Sequence, residues 1–252
     1  MRLTFLGTGS AMPTGERFQT GLLLSAGEDR LLVDCGSGAL HGLARTEAGY
    51  EGVGTVLLTH HHLDHVSDLL PLMKARWLAG EEALTVAGPP GTPALVEELL
   101  GVHEYMQGRL DLTLRTVDPG RETTVAGFEV DSMETRHSMD CLAYRFSHPD
   151  EPGDVAFSGD SEAFRELAAF ADGAAVCVHD CSFPDDVDVS NHPTPSALGR
   201  AFADAGADVG RLYLTHLYPH TDGRHEELLE SVGEGYDGAV RVARDGLSVE
   251  VS

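Results

Sequence analysis

His60-x-His62-x-Asp64-His65 constrains this chain more than any other stretch of it. Three imidazoles and a carboxylate follow directly on the apolar run Val56-Leu57-Leu58. Imidazole suits Zn²⁺, Fe and Mn-class ions, and a carboxylate adds charge that helps hold a second cation. A ligand group this dense could serve one metal. With two His on one side of a turn and Asp-His on the other, it could serve two. The plain alternative is a solvated His-rich loop, but short His-rich tracts are themselves metal-binding signals.

The rest of the chain weakens that alternative. Phe128 to Met133 alternates like a strand and soon reaches His137. Val155-Ala156-Phe157 runs into Ser158-Gly159-Asp160, Ala174 to Val178 into His179-Asp180, and Leu212 to Thr215 into His216. Short apolar runs bounded by turn residues read as buried strands. His or Asp therefore stands just past the carboxyl end of strand after strand, where ligands of layered sheets gather.

The pattern predicts strands at 2–6, 20–25, 30–34, 54–59, 84–87, 112–116, 121–126 and 127–134. Later strands are expected at 142–146, 154–158, 174–179, 211–215, 239–243 and 247–251. Helices are expected near 38–46, 67–79, 92–100, 102–108, 161–171, 194–205 and 224–233. Ser67 is the expected cap of the second, with Pro71 in its first turn. Thr194-Pro195 is a favourable start for the sixth. Strands outnumber helices and alternate with them, which predicts an α+β or α/β protein: two sheets packed together with helices outside, a four-layer sandwich. Gly7-x-Gly9 lacks the third glycine of a dinucleotide fingerprint and the lysine of a phosphate loop, so it reads as a turn beside the cleft.

Residues 1–252 read as one domain, since the Pro/Gly stretches are too short for linkers. No apolar run approaches the ~18–20 residues of a membrane span. The first residues lack a signal-peptide core, so a cytoplasmic protein is expected. Cys35, Cys141, Cys177 and Cys181 form no paired zinc knuckle and are expected reduced and packed. Asp and Glu total 41 against 17 Lys and Arg, a net charge of −24, and Lys74 is the sole lysine. The acids are spread along the chain, as on an acid-coated globule. Such self-repulsion is tolerable where the Debye length falls to roughly 3 Å, at 1 M salt. The composition reads as that of a halophilic protein, with an ordinary acidic protein as the alternative.

HHHLDH at 60–65, His137, Ser158-Gly159-Asp160-Ser161 and Leu214-Thr215-His216 resemble the metal motifs of the metallo-β-lactamase fold superfamily. Leu6-Gly7-Thr8-Gly9-Ser10 with Pro13-Thr14, Val33-Asp34-Cys35-Gly36 and Val178-His179-Asp180-Cys181-Ser182 resemble its ribonuclease Z branch, the tRNA 3′-end endonucleases. The resemblance spans the chain. It implies an αβ/βα sandwich with two divalent ions at one edge, Zn²⁺ by the His-rich set, with Mn²⁺ or Fe²⁺ as the other candidates. It implies that His60, His62 and His137 hold one ion, that Asp64, His65 and His216 hold the other, and that Asp160 bridges them. Asp64, Asp180 and His192 are the implied catalytic residues. His192 is the implied proton donor, oriented by Asp180 where the family carries a longer Glu. His61 is expected to face solvent or sit behind the ligands, and His41, His103, His148, His220 and His225 are expected at the surface.

Ribonuclease Z proteins usually carry an arm that clamps tRNA. Here 22 residues separate His137 from Asp160, room for two strands and a turn. Binding to a polyanion is ordinarily led by Lys and Arg, which are scarce here. The expected activity is therefore hydrolysis of a small phosphodiester or a nucleic-acid end by a metal-activated water. An armless tRNA endonuclease, a thioester or lactone hydrolase, and a non-catalytic metal-stabilised partner protein are the alternatives. Relatives are often dimers, and a homodimer is expected. The charge generates the first test. Folding or activity is expected to be lost in dilute buffer as screening is withdrawn. Full stability and activity at low ionic strength, by circular dichroism and assay across salt concentrations, would contradict the halophile reading.

Overall fold

The computed structural model describes residues 1–252, and its elements alternate as the hydrophobic pattern requires. The first half runs β1 (Arg2–Gly7), β2 (Gly21–Ala26), β3 (Asp29–Val33), α1 (Ala39–Leu43), β4 (Thr55–Leu57), α2 (Leu63–Val66), α3 (Leu69–Ala79), β5 (Ala83–Gly88), α4 (Thr92–Val102) and β6 (Asp111–Thr116). The second runs β7 (Thr123–Val125), β8 (Phe128–Glu134), β9 (Leu142–His148), β10 (Glu151–Phe157), α5 (Arg165–Phe170), β11 (Val176–Asp180), α6 (Pro195–Ala205), β12 (Leu212–Thr215), α7 (His225–Gly233) and β13 (Val240–Val242). The last strand, β14 (Ser248–Glu250), returns to the first sheet beside β1.

Two seven-stranded sheets result, ordered β14-β1-β2-β3-β4-β5-β6 and β13-β12-β11-β10-β9-β8-β7. In each, one half is antiparallel and the other parallel: β3 to β6 in the first sheet, β10 to β13 in the second. Twenty-five buried residues, among them Phe5, Leu31, Phe128, Tyr144, Phe157 and Tyr213, fill the space between the sheets. A second core of 17 packs α1, α3 and α4 on the outer face of the first sheet. A third of 17 packs α6 and α7 on the other sheet. The order helix, sheet, sheet, helix is the expected four-layer sandwich. No helix is long and apolar enough to cross a membrane.

Local chemistry departs from the expectation in five places. Ser67 does not cap α3; it ends α2, where its hydroxyl bonds back to the Leu63 carbonyl. Asp68 stands at the start of α3, yet its carboxylate accepts from the backbone of Gly38 (2.8 Å) and Leu40 (3.0 Å), and so ties the first turn of α1 to the metal-motif segment. The helix expected from 161 begins at Arg165, because Ser161 and Glu162 are engaged with the strand ends. The one expected over 102–108 is a single 3₁₀ turn, Glu104–Met106. Thr194 does precede α6, but its side chain makes no capping bond there. His148 is not a surface residue: it is 8% exposed, 3.1 Å from Asp29 and against Phe128. Between His137 and Asp160 the chain forms the hairpin β9–β10 and nothing more.

Candidate metal centre

The carboxyl ends of the parallel strands meet at one edge of the sandwich. Asp34 lies past β3, His60 past β4, Asp160 past β10, Asp180 at the end of β11 and His216 past β12. His62, Asp64 and His65 follow on the tight α2 turn, and His137 comes from the loop after β8. The 34–38 loop lies against this turn so closely that a Cβ on Gly36 would fall 2.0 Å from the Asp64 carbonyl. Only glycine permits that approach.

All seven residues expected to be ligands come together here. His60, His62, His137 and Asp160 form one group, and Asp64, His65 and His216 another, with ligand atoms in each group within 4.8 Å of one another. Asp160 touches both. Its Oδ2 lies 3.6 Å from His60, 3.8 Å from His137 and 3.3 Å from His216, and its Oδ1 lies 3.3 Å from His65. His61 turns away, with Nε2 2.8 Å from the Thr92 hydroxyl.

Hydrogen bonds on the far side of four rings set which nitrogen faces inward. His65 donates Nδ1–H to Asp34 (2.8 Å), His137 to the Asn191 carbonyl (3.1 Å), His216 to the Ser182 hydroxyl (2.9 Å) and His60 to the Thr59 hydroxyl (3.0 Å). Each then turns Nε2 toward Asp160. His62 presents Nδ1, 3.1 Å from both His60 Nε2 and His137 Nε2. With Nδ1 spent, Nε2 of a neutral His60 or His137 is a lone pair turned inward. His65 Nε2 is buried and makes no hydrogen bond. Converging lone pairs beside a buried carboxylate fit a cation.

The titration behaviour agrees. Burial alone would raise Asp160, yet His216, His65 and His60 hold it well below the usual carboxylate range. Burial likewise opposes charge on His65, but Asp160 and Asp34 hold it well above the usual imidazole value. Burial and the neighbouring His65 push His60 well down. The cluster is an ionised acid seeking positive charge.

Asp180 and His192 stand beside it. The buried Asp180 carboxylate accepts from His192 Nδ1 at 2.7 Å, from the Ser182 hydroxyl at 2.5 Å and from the Ser161 amide at 3.3 Å. Aspartate is therefore long enough for the contact. The His192 ring stacks on His216, centroids 5.2 Å apart. Burial disfavours its charged form, but Asp180 outweighs that and pushes it up to about 9. A cavity of about 380 Å³ opens over His62, Asp64, His137, Asp160 and His192. A cavity of about 420 Å³ on the outer face of the first sheet holds none of these groups.

A family model described as Anti-Pycsar protein Apyc1 matches residues 1–198. Ribonuclease Z of Methanopyrus kandleri is 32% identical over 285 aligned positions, covering 99% of this chain and 97% of that protein. The chain belongs to the Apyc1 family and to the ribonuclease Z-like branch of the metallo-β-lactamase superfamily. Bacillus subtilis YhfI, named a probable metallo-hydrolase, is 29% identical over 256 positions, covering 98% of each chain. The crystal structure of YhfI superposes with a TM-score of 0.84 over 99% of both chains. Human tRNase Z, short form, gives 0.80 at 18% identity over the full length of both chains, a likeness of fold. The Methanopyrus alignment is longer than the 252 residues present here, so that relative carries inserted residues without counterpart in this chain. The YhfI alignment needs far fewer. The chain is thus a metal-dependent hydrolase of compact build, and its His/Asp cluster is a divalent-metal site.

Sequence reasoning did not assign Asp34, Thr59, Ser182 or Asn191, which orient the rings. Asp34 and Ser182 stand in quoted motifs, and Asp34 obeys the same strand-end rule as the ligands. Their pairing needed the fold. Asp34 also accepts from the Thr59 amide (2.7 Å) and hydroxyl (2.8 Å). Asp34→Asn is expected to lower metal affinity about 10- to 100-fold, the usual effect of losing a carboxylate behind a metal-bound histidine. Competition with a chromophoric chelator measures it, and unchanged affinity would show that Asp34 serves the backbone alone.

Proposed function

We propose that this chain is a dinuclear metal-dependent phosphodiesterase acting on a small phosphodiester or an accessible nucleic-acid end. His60, His62 and His137 would hold one ion, Asp64, His65 and His216 the other, and Asp160 would join them. The imidazole-rich set favours Zn²⁺ over Mn²⁺ or Fe²⁺. Such a pair, when bound, makes water a nucleophile near neutral pH and neutralises phosphoryl charge.

The observation that carries the reading is the Asp180–His192 pair at the mouth of the cluster. Hydrolysis of an alkyl diester breaks a P–O bond to a poor leaving group, and the departing oxygen needs a proton. His192 spends Nδ1 on Asp180, so Nε2 is left to face the cavity and is the atom that delivers it. Its side chain is 12% exposed, which allows recharging from solvent. Thioester and lactone cleavage make less demand on such an acid. Small size follows from the lack of an arm and from a net charge of −24, which repels long polyanions. The names of the ribonuclease Z relatives favour a second reading, a tRNA 3′-end endonuclease without the arm.

A panel of bis-p-nitrophenyl phosphate, cyclic nucleotides, tRNA precursors, thioesters and lactones, assayed with metal at high salt, separates these readings. Cleavage of thioesters or lactones in preference to every phosphodiester would refute the proposal. Metal analysis is expected to find two ions per chain. One tightly held ion in a fully loaded sample would refute the dinuclear arrangement.

His192→Ala is expected to slow an alkyl diester by about 10²–10⁴-fold, the usual worth of general acid catalysis, and to keep both metals. A p-nitrophenyl ester, whose leaving group departs without a proton, should be much less affected. Activity on the alkyl ester falls as pH rises through the imidazole's pKa. Asp180→Asn removes the charge that holds the imidazolium, so this limb moves to lower pH. Equal loss on both esters would assign His192 to substrate positioning instead.

A further inference from the structure

The cavity over the metal cluster contains no lysine or arginine. A phosphodiester placed there would meet, beside the His/Asp cluster and the His192 imidazole, only neutral groups. Tyr218 lines the cavity two residues after His216. Its ring stacks on Phe183, centroids 4.4 Å apart and planes 25° apart. It also meets the edges of His192 at 5.9 Å and His216 at 5.7 Å. Its amide donates to the Ser182 carbonyl (3.2 Å), and its carbonyl accepts from the Thr221 amide (2.9 Å) and hydroxyl (2.7 Å). The ring is thus held by its neighbours and by its own backbone.

The hydroxyl is spent on nothing. Tyr144 gives its proton to the Leu58 carbonyl and Tyr236 to the Val209 carbonyl. The Tyr218 hydroxyl makes no hydrogen bond within the protein, and a phenol keeps its proton at neutral pH and donates it. The other neutral donors of the lining, Ser138, Ser190 and the Asn191 amide, of which one N–H bonds Ser190, carry no rigid ring. A rigid aromatic ring with a free donor, beside the proposed leaving-group acid, is a preorganised contact for charge on the substrate.

We propose that the Tyr218 hydroxyl donates a hydrogen bond to a non-bridging phosphoryl oxygen of the substrate. This rests on the phosphodiesterase reading of the same site. Because the contact is to the phosphoryl group and not to the leaving oxygen, its loss is blind to the leaving group, unlike that of His192. Tyr218→Phe keeps the ring and its stack, and should keep both metals. It is expected to lower kcat/KM about ten- to a hundredfold, equally on an alkyl diester and a p-nitrophenyl diester, as for a lost hydrogen bond to a charged group. Inorganic phosphate, titrated into the metal-loaded protein by calorimetry, should bind more weakly to the variant by a similar factor. Unchanged kinetics and phosphate affinity would overturn the proposal. So would a loss confined to the alkyl ester, or one accompanied by loss of metal. If the wild type cleaves no diester at all, the phosphodiesterase reading fails by itself, and the phosphate titration still decides whether Tyr218 binds the anion.

Discussion

Everything at the working edge of this molecule depends on one buried carboxylate facing inward-turned imidazoles. Asp160 is 2% exposed. An isolated charge there carries a desolvation penalty of several kcal/mol, on the order found for buried ions generally. His60, His65, His137 and His216 lie within 3.8 Å of it, and a cation held between them and the carboxylate would offset that penalty. Those rings can face it only because their outer nitrogens are bound to Thr59, Asp34, Asn191 and Ser182. The outer hydrogen bonds are therefore as much a part of the site as the ligands, since they select the tautomer that leaves a lone pair pointing inward.

The backbone is distorted where it serves this arrangement. Asp34, Asn191 and His216 adopt left-handed φ values of 59°, 67° and 58°. Ala126 is the one other non-glycine residue to do so, and it sits in the β7–β8 turn. Asp, Asn and His take this conformation more readily than most residues, at a price of about 1 kcal/mol or more each. At Asp34 and His216 it turns the chain sharply off a strand end, and at Asn191, in the loop before α6, it accompanies a carbonyl that accepts from His137. The rigid sheets beneath hold the turn, through cores that fill the sandwich on both sides of each sheet.

Charge divides the site from the rest of the surface. The chain is strongly acidic, and the cavity brings no lysine or arginine to a substrate anion, only the imidazole of His192 beside the His/Asp cluster. Attraction for phosphate would come from cations bound by the His/Asp cluster, from the His192 imidazole and from neutral donors around them. On the function proposed above, the substrate is a compact anion that lodges directly on the cluster. The site offers little to a long polyanion, which gains affinity from many spread contacts with Lys and Arg.

Much of this was legible in the chain before it folded. The ligands announced themselves because metal binding needs particular atoms, and few residue types supply them. His60 to His65 sit together, and His137, Asp160 and His216 each follow an apolar run. The sheets and helices were legible for a similar reason, since burial imposes periods of two and of about three and a half on hydrophobic residues. Boundaries set by hydrogen bonds were not. Ser67 and Asp68 both look like caps for α3, and Asp68 in fact serves α1, thirty residues earlier in the chain. His148 looks like any surface histidine and is buried beside Asp29, 119 positions away.

By itself, then, the sequence singled out the candidate metal ligands and the strand ends or the turn on which they stand. Those are properties of side-chain type and local pattern. Tertiary structure alone decided which nitrogen of each ring faces inward, that Asp34 and Ser182 hold the rings, and that the hydroxyl of Tyr218 is left free beside His192. These depend on contacts between residues tens to hundreds of positions apart, and such contacts exist only once two sheets have packed face to face.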